Sequence, residues 1–371
     1  RIYRVCDKKT ANTLRWRARE AASFGLAKKC LRAMSFFSRG LYALRYNGAS
    51  DEKRYSGWRE KEVVNLCKQL LDEEKYDAIL SISYPAMTHR IAQRLKNNCS
   101  YRIKWLMYEF DPYCYNVQQY GNESVEKHFE EQRSFFESCD GIIVTPELYR
   151  FYQDTPFSSY LDKMKEMPFP NLSRPPHAAA PDVALPRDEK RYELFYAGAL
   201  NAAVRNPAYA LKFFGLAKEN VHFSILTGGS LQFVKEEADL LGDSLSVYPY
   251  QPHEVVSATM ERADILVSIG NTVVFQAPGK TFEYMSTGKP IVHFAKIPED
   301  TALYYLKDYP YLFVVREYEQ PERQADAFLE FCREKKGKKL SYESVVQAVP
   351  QFESASVVKN FLDYLHMTLT D

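Results

Sequence analysis

Short apolar runs alternate with longer amphipathic stretches along most of the chain. In the first half YDAILSIS (76–83) is an apolar run of strand character, and the amphipathic PAMTHRIAQRLKNN (85–98) follows it. Next come the strand-like YRIKWLMYEF (101–110), the helical SVEKHFEEQRSFFESC (124–139) and the strand DGIIVTP (140–146). Strands alternating with helices of this length predict βαβ units and a parallel sheet. Residues 167–186 then hold six prolines (168, 170, 175, 176, 181 and 186), which no regular helix tolerates, so this stretch reads as a linker.

The alternation restarts beyond it. Strands are expected at 192–200, 221–229, 245–251, 264–271, 289–295 and 311–317, with helices at 207–219, 231–241, 252–263 and within 277–292. Two doubly wound α/β domains follow, over 1–170 and 187–354, with a last helix in 355–371 returning to the first. Ligands of such sheets bind beyond the carboxyl ends of the strands. Attention therefore falls on the residues just after Phe110, Gly198, Gly228, Gln251 and Asn271.

One stretch is crowded with chemistry. In APGKTFEYMSTGKPIV (277–292) a short helix is entered through Pro278-Gly279-Lys280-Thr281, carries Glu283 in its first turn and stops at Gly288-Lys289-Pro290. A helix N-terminus offers unpaired N–H groups and partial positive charge, which favour an anion. Gly279 would admit close backbone approach, Lys280 adds a full charge, and Glu283 suits the hydroxyls of a neighbouring sugar, so a nucleoside diphosphate is the natural ligand. The alternative is structural: Thr281 as N-cap, Gly288 as C′, and Glu283 complementing the dipole. Neither a Walker-type loop nor a G-x-G-x-x-G after the first strand of either half is present.

Composition narrows the class. Among 371 residues, 46% are hydrophobic and 26% charged, as in an ordinary soluble globular protein, and the length suits two domains. The seven cysteines form no CxxC pair and no metal-ligand spacing, which reads as reduced thiols in the cytoplasm. No apolar run approaches a membrane span and no secretory signal is visible. The net charge of +1 hides an asymmetry: residues 1–50 hold twelve Lys/Arg against Asp7 and Glu20. That segment, including CLRAMSFFSRGLYALRY (30–46), could lie on an anionic membrane surface or meet a lipid-linked pyrophosphate, or it could be a solvated basic face around a core helix. With no stacking motif or recognisable fold, nucleic acid is not an expected partner.

The helix stretch resembles the donor-site helix of family-four-type glycosyltransferases with the GT-B fold, which often reads P-S-K-x-x-E-Y-M-A-x-G-K-P-I-I. YELFYAGALNAAVRNP (192–207) resembles their first donor-domain strand and loop, with Gly198 and Arg205 at the glycine and basic positions. LSVYPYQPHEVVSATMERADILVSIG (245–270) resembles the segment that packs against the base, and KWLMYEFDPYCYN (104–116) resembles an acceptor-domain stretch. The resemblance is specific over about 195–295 and loose over 76–170. It departs at one place: many members carry two glutamates eight positions apart, and here the earlier position is Phe275. Asn271, Thr272 or amides near Gln276 and Ala277 are the candidate substitutes.

The resemblance implies two Rossmann-like domains facing across a cleft, and transfer of a sugar from a UDP- or GDP-sugar to a hydroxyl of a glycan or lipid-linked acceptor. It further implies retention at the anomeric carbon, no cofactor and no metal, in the synthesis of a cell-surface polysaccharide at the inner face of the membrane. The expected donor-nucleotide residues are Gly198, Arg205, Gly228, Tyr250, Asn271, Lys280, Thr281, Phe282 and Glu283. Arg205, Lys280 and Asp111 are the catalytic candidates, and Glu109, Asp111 and Tyr113 the acceptor candidates. Arg205 could equally be a surface arginine and Asp111-Pro112 an ordinary turn, and His89, His253 and His293 read as structural. Two rivals stand beside this reading: a catalytically silent GT-B subunit that stabilises a partner glycosyltransferase, favoured by Phe275, and an epimerase of nucleotide sugars.

Overall fold

A computed structural model describes residues 58–83, 86–169, 171–175, 183–228 and 231–370. The basic segment 1–50 and its expected membrane or lipid contact lie outside the described residues. The chain divides into two compact units, and the second takes in 145–158 and 166–365.

The first unit is built on α1 (Trp58–Glu73), β1 (Ala78–Ile82), α2 (Met87–Asn98), β2 (Lys104–Glu109), the short α3 (Val117–Tyr120), α4 (Ser124–Ser138) and β3 (Gly141–Val144). β4 (Met164–Glu166) completes a sheet of order β1-β2-β3-β4, in which β1, β2 and β3 are parallel. The strand expected to run through Pro146 stops at Val144. Thr145 is extended (φ −70°, ψ 157°) and Pro146 occupies the first turn of a helix, where its missing N–H costs nothing.

His89 of α2 is fully buried in this unit, with Nδ1 2.7 Å from the Ser81 hydroxyl, which also accepts the Trp105 indole N–H at 2.7 Å. Among the described residues its Nε2 has no hydrogen-bond partner, and burial lowers its pKa from 6.5 to about 3. The proton therefore prefers the unfolded chain. This contribution to stability is complete above pH 6.5 and is lost as pH falls towards 3, at about 2 kcal/mol by pH 5. Urea unfolding of the wild type and His89→Gln at pH 7.5 and pH 5 should show that much less pH dependence in the variant.

The second unit begins with α5 (Pro146–Gln153). It continues through β5 (Tyr192–Ala197), α6 (Ala208–Gly215), β6 (Val221–Leu226), α7 (Lys235–Leu241), β7 (Leu245–Tyr248), α8 (His253–Arg262), β8 (Ile265–Ile269) and α9 (Lys280–Ser286). There follow β9 (Ile291–Ala295), α10 (Thr301–Leu306), β10 (Leu312–Arg316), α11 (Glu322–Lys335), α12 (Tyr342–Ala348) and α13 (Ser354–Thr370), whose residues from His366 on belong to the first unit. α1, α3, α5, α10, α11, α12 and β4 are additions to the elements expected from the pattern.

All six strands of the second sheet are parallel, in the order β7-β6-β5-β8-β9-β10. This is the doubly wound order in which the winding reverses between the first and fourth strands, here β5 and β8. The period of two along β5 sends Leu194 and Tyr196 into one core and Phe195 and Ala197 into the other. On the first face α6 and α11 bring Phe213, Phe214 and Phe328 against Phe223 and Phe294. On the second, α8, α9 and α10 bring Met260, Phe282, Met285 and Tyr305. Both faces are covered, as a parallel sheet requires, and ligand access is left to the strand ends.

Candidate nucleotide-binding site

The reversal between β5 and β8 puts two loops side by side at the carboxyl end of the sheet. After β5 the chain turns at Gly198, because the Tyr196 hydroxyl curls back to donate to the Ala199 carbonyl at 3.1 Å. A Cβ on Gly198 would lie 2.8 Å from that hydroxyl oxygen. The loop then folds on Asn201, whose Oδ1 accepts the Val204 N–H at 2.7 Å. The Lys296 ammonium, itself on Glu317 at 2.8 Å, donates to the Asn206 carbonyl at 2.5 Å.

Arg205 emerges from this loop half-buried. Its Nε and Nη2 both donate to Asn271 Oδ1, at 3.1 and 2.8 Å. Asn271 is 1% exposed, and its Nδ2 donates to the Gln276 carbonyl at 2.8 Å. Arg205 and Asn271, 66 positions apart, are thus brought together at the switch point. Among the described residues no carboxylate pairs with Arg205: a neutral amide oxygen aims its charge and leaves it uncompensated. The guanidinium also lies beside the Tyr196 phenol, whose pKa burial raises and Arg205 pulls back.

α9 follows ten residues after β8. It buries Thr281, Phe282, Tyr284, Met285 and Ser286, leaving Lys280 and Glu283 on the outer side. Tyr284, fully enclosed, accepts the Ala197 N–H at 2.9 Å and so pins the helix to the end of β5; burial pushes its phenol pKa up. Lys280 and Glu283 meet each other, Nζ to Oε2 at 2.5 Å, and the other carboxylate oxygen, Oε1, is buried with no hydrogen-bond partner among the described residues.

The structural alternative for this helix fails at one end and holds at the other. Thr281 is not the N-cap: Gly279 occupies that position with no side-chain cap, and the Thr281 hydroxyl and N–H both donate to the Pro278 carbonyl, at 2.8 and 3.1 Å. Gly288 does sit just past the C-cap, with φ +73°. Phe282 packs its ring on Tyr305 (4.9 Å) and Phe352 (5.9 Å), as a core residue. Phe275, at the departed glutamate position, lies edge-on to Phe151 at 5.2 Å.

A cavity of about 810 Å3 lies between α8 and α9. Each helix contributes one stripe at the same spacing: His253, Ser257, Met260 and Glu261 from α8, and Gly279, Glu283, Ser286 and Thr287 from the α9 region. Asn171 to Pro175 and Lys339 to Tyr342 complete the walls. The cavity and the Arg205 cluster are separate features. Of the residues expected at the nucleotide, only Glu283 lines the cavity; Gly198, Arg205, Gly228, Tyr250 and Asn271 do not. Tyr250, two residues beyond β7, is 80% exposed, and Gly228 beyond β6 is exposed with open space around it.

In the first unit Glu109 ends β2 with no exposure and accepts the Gln132 amide at 2.9 Å. Tyr113, 3% exposed, donates to Glu131 at 2.7 Å. Both hold the loop after β2 from inside, and Asp111 between them is the half-buried member of the three. The described residues contain no cluster of three metal-binding side chains and no helix long and apolar enough to cross a membrane.

No protein-family model matches this chain, and no curated protein matches it. Solved structures do. The chain is similar to sucrose-phosphate synthase from Thermosynechococcus elongatus, at TM-score 0.59 and 16% identity over 84% of this chain and 79% of that one. It is similar to HepE from Anabaena in complex with UDP-glucose, at TM-score 0.55 and 13% identity over 82% of each chain. It is similar also to the catalytic domain of starch synthase IV from Arabidopsis thaliana bound to ADP and acarbose, at TM-score 0.56 and 9% identity over 85% of this chain and 77% of that one. At such identities the likeness is one of fold: the chain has the α/β architecture of the GT-B glycosyltransferases, two Rossmann-like units.

Proposed function

We propose that the protein is a glycosyltransferase that takes a sugar from a nucleoside diphosphate donor, UDP- or GDP-linked, and delivers it to a hydroxyl of a glycan or lipid-linked acceptor. The observation that carries this reading is the uncompensated Arg205 guanidinium, aimed by Asn271 at the switch point of a doubly wound sheet. The GT-B neighbours solved with UDP-glucose and with ADP support it.

In this reading the diphosphate lies against Arg205 and the Gly198 turn, and the nucleoside extends along α9 towards the cavity beside α8. Glu283 Oε1, buried and unpaired, accepts the ribose hydroxyls, while Lys280 on Oε2 stands beside the phosphates. As the sugar–oxygen bond breaks, negative charge grows on the diphosphate, and fixed cations stabilise it where it develops. Asp111 in the first unit is the candidate for the acceptor hydroxyl, and we extend the reading to retention, no metal and a role in surface-polysaccharide synthesis.

Glu283 tests the nucleoside half. Glu283→Gln should weaken binding of the nucleoside diphosphate by about 10- to 100-fold, the scale of hydrogen bonds to a charged acceptor. The wild type should also discriminate against the 2′,3′-dideoxy nucleotide and the variant should not, as titration calorimetry can read. Loss of the fold instead of loss of affinity would make Glu283 a structural residue.

A silent GT-B subunit is the second reading, and Phe275 favours it: the position at which a carboxylate would reach the sugar is turned into packing on Phe151. Such a protein would bind nucleotide poorly and co-purify with an active partner.

A further inference from the structure

Around Arg205 three consecutive backbone carbonyls are each taken by a different donor. The Val204 carbonyl accepts the Thr272 N–H at 3.0 Å, from the loop after β8. The Arg205 carbonyl accepts the Asn201 N–H at 3.1 Å, within its own loop. The Asn206 carbonyl accepts the Lys296 ammonium at 2.5 Å, from the end of β9. Thr272 adds a second tie, its hydroxyl donating to the Ala203 carbonyl at 2.9 Å.

Lys296 is the unusual member. Its side chain is 6% exposed, and its other hydrogen bonds run to the two carboxylate oxygens of Glu317, at 3.0 and 2.8 Å. Taking two charges out of water is costly, and apolar residues of similar volume often serve stability as well or better. Nor do β9 and β10 need the pair: they are joined by a parallel ladder, and beyond it the Glu317 N–H donates to the Ala295 carbonyl at 2.9 Å. What the lysine reaches, and that ladder does not, is the loop after β5. In the sheet order β8 lies between β5 and β9, so Lys296 reaches past β8 to Asn206, 90 positions earlier in the chain. Asn206 in turn leads into α6: its Oδ1 accepts the Ala208 N–H at 2.9 Å, and the proline that follows it restricts its backbone.

We propose that Lys296, held by Glu317, is a positioning residue for the diphosphate site: it fixes the Asn206 carbonyl and, with it, the backbone that presents the Arg205 guanidinium. The inference rests on the reading of Arg205 as the diphosphate cation. Lys296 touches no substrate in it, because its ammonium is engaged by Asn206 and Glu317 before any ligand arrives.

The paired variant Lys296→Met with Glu317→Gln removes the tie without leaving a buried charge alone, and two independent readouts test it. Amide hydrogen exchange of the ligand-free protein should rise at Asn201, Val204 and Thr272, whose N–H groups bond within this cluster, and stay unchanged in α8. Affinity for UDP or GDP should fall about 3- to 30-fold, the range for residues that act through others, while the weaker binding of the matching nucleoside is unaltered. In an Arg205→Ala background the paired variant should add no further loss, since both act on one interaction.

Unchanged diphosphate affinity, an equal loss for the nucleoside, or additive losses would each overturn the proposal. If the paired variant fails to fold, Lys296→Gln keeps an amide donor for Glu317 and is too short to reach Asn206 as well. It should move exchange and affinity in the same direction, and no movement in either overturns the proposal. If the wild type binds neither UDP nor GDP, the reading of Arg205 fails separately. The exchange experiment then stands alone: unchanged protection of Asn201, Val204 and Thr272 overturns the fastening itself, and lost protection retains it.

Discussion

Arg205→Ala is expected to lower affinity for the nucleoside diphosphate by about 10- to 100-fold, the worth of hydrogen bonds to a charged partner, with the ligand-free fold unchanged. The guanidinium is half-buried, and Asn271 Oδ1 takes two of its N–H groups. An arginine so placed is pre-aimed, and no carboxylate has to be displaced before a phosphate enters. Arg205→Lys should recover little, because a single ammonium cannot meet the Asn271 oxygen through two donors and still present a fork to an anion. Asn271→Ala should fall between, leaving the charge but freeing its direction. Titration calorimetry of the three variants at low salt separates these cases. Equal affinity in all three would remove Arg205 from the site.

Gly288 and Gly279 bracket the same helix and should respond in opposite ways. Gly288 has φ +73°, and a Cβ there would lie 2.1 Å from the Leu340 carbonyl oxygen. That carbonyl cannot retreat easily, since the Leu340 N–H donates to the Gly288 carbonyl at 2.8 Å. Gly288→Ala thus combines left-handed strain of roughly 1–2 kcal/mol with a backbone collision. A total of about 3–5 kcal/mol is in line with the largest single-site effects. The second unit should melt about 6–20 °C lower, at the 2–4 °C per kcal/mol of units this size. Gly279 has φ −61° and open space where a Cβ would go. Gly279→Ala should leave the melting point unchanged or slightly raised. A loss of nucleotide affinity in that variant alone would show that the ligand approaches the backbone there.

The sequence carried the fold further than the site. The apolar alternation located all six strands of the second sheet: the inner four are buried on both faces and read as near-continuous runs, while the edge strands β7 and β10 are only partly buried. It missed α5, where Thr145-Pro146 follows an apolar strand and looks like its end, and it missed α10 to α12, whose amphipathic pattern is short or weak. Strand order is a matter of crossover geometry and leaves no local trace, so the switch point between β5 and β8 was not legible.

Within the site, Glu283, Lys280 and Arg205 stood out because charge beside glycine at a strand end is unusual for mere packing. Asn271 stood out too, as a residue just after a strand and expected at the donor; that it aims Arg205 across 66 positions was not legible. Phe282 is part of the recognisable motif and turns out to belong to the core, since one face of any seven-residue helix on a sheet is buried.

A nucleoside diphosphate site at the β5–β8 switch point stands or falls with a thermal-shift screen against UDP, GDP, ADP, CMP and NAD. At about 100 times its dissociation constant a ligand adds roughly 2.7 kcal/mol of stability, enough to raise a melting point visibly. A rise is expected with UDP or GDP, none with CMP or NAD, and the rise should be lost in both Arg205→Ala and Glu283→Ala. No rise with any of the five would contradict it and leave the silent subunit as the better description.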